Sequence, residues 1–208
     1  MKELVEAIES LKNDNISNII NERLAQFSSL RSSGIDEIFK EICFCIMTAN
    51  CGAIKCIEVQ QKIDNGFLTN SEDELKANFK KFGYRFPNIR AKYIIEARTY
   101  LTTLEGKINS ITDENNLRDW IAKNIKGLGY KEASHFLRNI GYKNLAIIDF
   151  HIIDLLVRYK IIEKPKTLTR SKYLEIETVL KKLASESNLD LARLDLYLWY
   201  METNEVLK

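Results

Sequence analysis

Residues 117–140 read LRDWIAKNIKGLGYKEASHFLRNI, two helical stripes separated by a glycine turn. Leu117, Trp120, Ile121 and Ile125 recur at i, i+3, i+4 and i+8 and stop at Gly127. Ala133, Phe136, Leu137 and Ile140 recur at i, i+3, i+4 and i+7 and stop at Gly141. Each stripe can bury one face of a helix. A glycine just beyond is a common stop, because it reaches left-handed backbone angles without a Cβ penalty. The segment is therefore predicted to be helix, Gly-x-Gly turn, helix. The same spacing recurs in Ile38, Ile42 and Ile46, in Ile176, Val179, Leu180 and Leu183, and in Leu191, Leu194 and Leu198. Period-2 alternation, the mark of a half-buried strand, is absent. The fold class expected is all-α, with Asp149 and Asp190 as helix N-caps. Loosely structured joins are expected at 107–115 and 163–170.

A chain of 208 residues can form one sizeable domain or two small ones that share a cleft. Only 8 glycines and 2 prolines occur, too few for a turn-rich β fold. No apolar stretch approaches the roughly 18 residues of a membrane span. Lys2, Glu3, Glu6 and Glu9 do not make a secretory signal, so the cytoplasm is the expected compartment. Cys43, Cys45, Cys51 and Cys56 are spaced C-x-C-x5-C-x4-C, which matches no common zinc pattern. Within the apolar run Ile42–Met47, Cys43 and Cys45 read as small buried hydrophobes, and no metal is expected. The formal net charge of +2 is unevenly spread: residues 122–182 hold 13 Lys/Arg against 6 Asp/Glu, a net of +7, which leaves −5 for the remainder. A basic excess around the hairpin suits a polyanion, though a solvated charged face would give the same count.

Turns such as Gly127-Leu128-Gly129 either simply reverse the chain or hold a phosphate, since their N–H groups converge beside a helix N-terminus. Lys126 and Lys131 flank the turn. Lys131 opens the second helix, where a cation opposes the macrodipole by a few tenths of a kcal/mol or more. Such a lysine is either a surface contact or an amine nucleophile. Nucleophilic attack needs the neutral amine, and an ordinary lysine, with a pKa of about 10.4, is neutral in only about 1 molecule in 2,500 at pH 7. Partial burial and a helix N-terminus are the means of raising that fraction. Asp149 lies eighteen residues beyond Lys131, within Ile147-Ile148-Asp149-Phe150-His151. An N-cap carboxylate stays ionised, and in that form it can stabilise positive charge on a sugar or help to relay a proton.

These residues resemble the helix-hairpin-helix DNA glycosylase superfamily, whose signature is a Gly-x-Gly hairpin, a catalytic lysine, then an aspartate about eighteen residues on, often in Asp-x-His. Gly127, Gly129, Lys131, Asp149 and His151 all match. Lys131-Glu132-Ala133-Ser134-His135-Phe136-Leu137-Arg138-Asn139 is similar to the archaeal-type 8-oxoguanine DNA glycosylase/AP lyases, and so are Thr48-Ala49-Asn50, Gly83-Tyr84-Arg85-Phe86 and the segment from Asp195 to Lys208. The resemblance covers nearly the whole chain.

It implies two helical subdomains flanking an active-site cleft. One is a helical barrel over 33–143 that ends in the hairpin; the other is discontinuous, formed by 1–32 and 144–208. It also implies that a nucleotide is flipped out of double-stranded DNA, that Lys131 attacks its C1′ while Asp149 assists base loss, and that β-elimination nicks the strand. Asn50 would fill the hole left in the duplex, or else serve as a helix-end amide. Phe86 and Trp199 would sandwich the base; aromatics otherwise belong to the core. Lys208 would reach the base pocket if it is not simply frayed. His135, four residues after Lys131, shares its helix face and would touch the base or pack. Gly127, Gly129, Lys126 and His151 would hold the DNA backbone.

Two departures stand out. Residues 51–56 read Cys-Gly-Ala-Ile-Lys-Cys where relatives tend to have an aromatic and then Ala-Glu-Gly-Gly, and Phe150 replaces the usual Arg or Lys between the aspartate and the histidine. No cysteine follows Cys56, so the C-terminal iron–sulfur loop of the endonuclease III relatives cannot form. The expected function is therefore base-excision repair of 8-oxoguanine by a monomer without cofactor. The alternatives are the same scaffold acting on another lesion, such as an oxidised pyrimidine, or a non-catalytic module that binds duplex backbone.

Overall fold

A computed structural model describes residues 1–208 as thirteen helices without a strand. In chain order they are α1 (Lys2–Lys12), α2 (Ile16–Leu30), α3 (Ile35–Thr48), α4 (Ala53–Ile63), α5 (Gly66–Thr69), α6 (Glu72–Lys81) and α7 (Pro87–Arg98). These are followed by α8 (Leu101–Ser110), α9 (Glu114–Asn124), α10 (Tyr130–Asn139), α11 (Phe150–Arg158), α12 (Arg170–Glu186) and α13 (Leu191–Thr203). The chain is all-α, as its periodicity predicts. No helix is long and apolar enough to cross a membrane.

Caps set many of the helix starts. Ser71 and Glu74 form a reciprocal capping box at α6. Asp113, Thr169 and Asp190 each accept a backbone N–H from the first turn of α9, α12 and α13. The Asp113 cap corrects the expected 107–115 join: α8 runs on to Ser110 and α9 begins at Glu114, so only three residues link them. The 163–170 join is a true loop, closed by the Thr169 cap. Gly127 and Gly141 both have positive φ, +89° and +90°, as helix-ending glycines should. A Cβ at Gly127 would meet Tyr93 Cδ2 at 2.7 Å, so this turn excludes any other residue on two counts.

Two main cores result. The larger gathers 30 residues, all from Ile38 to Leu145; the second gathers 16, drawn from α1 and from the chain from Ala146 onward. Central to the larger core is α3, packed against α4, α5, α7, α8 and α10 and buried at every position from Ile38 to Thr48. Burial there includes Lys40 and Glu41, which a one-stripe reading places outside. Lys40 Nζ lies 2.7 Å from both Glu37 and Asp64, while Glu41 accepts from Asn139 at 2.6 Å. Cys43, Cys45 and Cys56 are wholly buried in this core.

Below the hairpin, the two cores are tied by a buried ion pair. Arg118 on α9 binds Glu177 on α12 through both terminal nitrogens, and Glu177 also accepts the Ala146 N–H at 3.1 Å. Burial opposes ionisation of Glu177, but the Arg118 guanidinium outweighs it and holds the carboxyl below its ordinary range. From here residues 144–149 run without regular structure to α11, where Asp149 lines the same cavity as Lys131.

Candidate active site

Lys131 is the second residue of α10, placed there by the Gly127–Gly129 turn. Glu132 on the same turn reaches back to accept the Gly129 N–H at 3.2 Å, so that donor is already occupied in the free protein. The Lys131 side chain is about one quarter exposed, and its nearest carboxylate, Glu132, is a loose 3.8 Å away. Asp149 caps α11 through Oδ1, which accepts the Ile152 N–H at 3.0 Å. That bond commits one carboxylate oxygen to structure; the other makes no hydrogen bond within the protein.

Both side chains line one cavity of about 550 Å³. Of the sequence-predicted residues, Asn50, His135, His151, Trp199 and Lys208 line it too. Phe86 does not. It starts α7, packs against the larger core, and carries the guanidinium groups of Arg85 and Arg90 at 4.9 and 5.7 Å from its ring centre. Lys126, Gly127 and Gly129 also lie outside the lining, with Lys126 exposed and 3.1 Å from Glu96.

Each lining residue is held by a particular local arrangement. Asn50 sits within the α3–α4 turn at φ +60°, a left-handed angle that asparagine tolerates. Arg90 braces that turn by donating to the Ala49 carbonyl at 2.9 Å. Lys208 is not frayed: its Nζ meets Glu41 at 2.7 Å, donates to Gln60, and lies 4.4 Å from the centre of the Phe44 ring. His151 is flanked by the Phe150 ring at 3.9 Å and by Trp199 in a T-shaped pair at 5.0 Å.

Unpartnered polar atoms mark the inner wall. His135 is buried in a T-shaped pair with Phe44, and neither ring nitrogen completes a hydrogen bond, although the Lys208 backbone lies nearby. Burial, then the Arg138 and Lys131 cations, push its pKa well below the usual imidazole value. The ring is thus neutral and presents one donor and one acceptor. Trp199 Nε1 and Arg138 Nε and Nη1 are likewise buried without partners. Asp195, one turn before Trp199 on α13, sits 3.6 Å from Arg138. Burial raises its carboxyl pKa to about 6; Arg138 opposes the shift and Asp149 adds to it.

Arg138 and Asp195 were not singled out as site residues from sequence, yet both line the cavity. A usable signal existed. Lys131, His135 and Arg138 fall at i, i+4 and i+7, one polar face of α10, and Asp195 and Trp199 fall at i and i+4. Such polar faces normally meet water, so periodicity alone assigns them to the surface.

Comparison with known proteins supplies the rest. A family model described as 8-oxoguanine DNA glycosylase matches residues 20–189. A Korarchaeum cryptofilum protein named 8-oxoguanine DNA glycosylase/AP lyase is 47% identical over 207 residues, covering 99% of this chain and 98% of its own. The crystal structure of the Methanocaldococcus jannaschii 8-oxoguanine glycosylase/lyase, solved in complex with 15mer DNA containing 8-oxoguanine, superposes with a TM-score of 0.96 at 47% identity, covering 99% of this chain and 100% of that one. The 8-oxoguanine DNA glycosylase of Thermotoga maritima superposes with a TM-score of 0.93 at 35% identity, covering 100% and 99%.

Proposed function

This chain belongs to the 8-oxoguanine DNA glycosylase family, and on that premise we propose that it excises 8-oxoguanine from double-stranded DNA and nicks the resulting abasic strand. The observation that carries the reading is the meeting of Lys131 and Asp149 in one cavity whose inner wall offers unpartnered donors and an acceptor.

A flipped-out nucleotide would put its sugar at the lysine and its base against the inner wall. The neutral Lys131 amine attacks C1′, and the bond from C1′ to the base nitrogen breaks. The base departs with that electron pair and gains a proton. Positive charge that develops on the sugar during this step is stabilised by the Asp149 carboxylate. Opening of the sugar ring, with proton loss from nitrogen, gives a Schiff base between Lys131 and C1′. Loss of a C2′ proton then expels the 3′ oxygen and cuts the strand by β-elimination. The neutral His135 imidazole and the Trp199 N–H supply directional contacts to the base, and Lys208 shapes the pocket end from its Glu41 and Gln60 anchor.

Single-turnover assays on a duplex with one 8-oxoguanine test this. Wild-type protein should release the base and nick the strand. Lys131→Gln should do neither. Asp149→Asn should keep DNA binding and lose base release by about 10²- to 10⁴-fold, the usual range for a positioned charge or proton carrier. Full nicking by Lys131→Gln would overturn the assignment.

A further inference from the structure

We propose that Phe150 is a stacking platform for DNA: its open face takes the base next to the flipped-out nucleotide on the damaged strand. The proposal rests on the reading of the cavity as the place where that nucleotide is held.

Phe150 is 66% exposed, one of five large hydrophobic side chains left in solvent, and it alone of the five lines the cavity. Leaving a phenyl ring in water at a site's mouth has no value to the free protein, and contact with an apolar ring face would recover the lost burial. Its backbone is fixed, because it is the first residue of α11 and the Asp149 cap holds that turn. One side of the ring is backed by His151 at 3.9 Å with 35° between planes, and His151 in turn forms a T-shaped pair with Trp199 at 83°. All three aromatics line the cavity; Phe150 is exposed, while His151 and Trp199 are half-buried.

Position then selects the occupant. Phe150 directly follows Asp149, so a sugar held at Lys131 and Asp149 leaves the adjoining nucleotide as the one that passes the mouth. That neighbour can be any of the four bases. Base–aromatic stacking is sequence-tolerant, because every base has a π face. Such a stack is not screened by salt, whereas a phosphate contact is.

The test uses the full-length protein and duplexes with a tetrahydrofuran abasic analogue, which binds without reacting, flanked on its 5′ or its 3′ side by 2-aminopurine. Phe150→Ala should weaken binding by about 5- to 100-fold, while Phe150→Trp stays within about threefold of wild type. The change in 2-aminopurine fluorescence on binding should appear at one flank and vanish in Phe150→Ala. The salt dependence of binding should match between wild type and Phe150→Ala and steepen by about 0.9 in log–log slope for Phe150→Arg. Equal affinity of Phe150→Ala, or a fluorescence response that survives it or is absent at both flanks, overturns the proposal. A separate borohydride trap on an 8-oxoguanine duplex keeps the two readings apart. Failure of wild type to trap would sink the glycosylase reading, while the binding data still decide the role of Phe150.

Discussion

Two buried arginines on packed helices divide the polar interior of this molecule. Arg118 on α9 has both terminal nitrogens engaged and only Nε without a partner: Glu177 takes both terminal nitrogens, Ser134 lies at 3.3 Å and Asn115 at 3.1 Å. Arg138 on α10 leaves Nε and Nη1 empty and reaches Asp195 only at 3.6 Å. Ser134 and His135 are chain neighbours, yet one belongs to the satisfied cluster and the other to the unsatisfied wall. Native interiors rarely leave buried polar atoms unpaired, and the exceptions call for a reason. The satisfied cluster joins the two cores. The unsatisfied one faces the cavity that holds Lys131, and under the proposed function a bound base would supply its missing partners.

The contrast breaks most visibly under single substitutions of the strut. Arg118→Met strands the buried Glu177 charge and should cost about 3–5 kcal/mol, read as a lowered urea midpoint, with Glu177→Leu added in the double variant restoring much of it. Loss of under about 1 kcal/mol in the single variant would show that the pair is no strut. Arg138→Met should cost less, because Asp195 can take up a proton instead of remaining charged.

Asp195 sharpens the comparison through pH. Its folded-state pKa of about 6 lies above the ordinary value of 3.8. The unfolded chain therefore loses this proton first as pH rises, so the group's contribution to stability falls across that interval and is spent above about pH 6. The amplitude is about 3 kcal/mol for a two-unit shift. Asp195→Asn should match wild type near the bottom of the interval and be more stable at neutral pH. Parallel stability curves for the two proteins would contradict the shift.

His135→Leu probes the wall itself. The exchange removes two unpaired ring nitrogens, so stability should stay within about 1 kcal/mol of wild type, whereas 8-oxoguanine excision should fall about tenfold for each hydrogen bond lost to the base. A large loss of stability with unchanged excision would make His135 a core residue only.

Much of this was legible in sequence, because apolar stripes mark α3, α9, α10 and α13, and glycines follow two of them, Gly127 after α9 and Gly141 after α10. The caps at Asp149 and Asp190 were legible for the same local reason. Pairings over long sequence distances were not. Nothing in the spacing of Arg118 and Glu177 brings them together, and a polar face on α10 looks like surface until α13 covers it with Asp195. The resemblance places Lys208 at the pocket, but its order was not legible: a terminal residue gains order only from remote partners, here Glu41 and Gln60. Phe86 shows the opposite case. A matching motif placed it at the base, while in the free protein it packs on the core and stacks with two arginines.

Borohydride trapping on an 8-oxoguanine duplex, followed by peptide mapping of the crosslinked protein, tests the central claim most directly. One covalent adduct should form, on the peptide that contains Lys131, and none in Lys131→Gln. An adduct of wild-type yield in Lys131→Gln, or one mapped to a different lysine, would contradict the account.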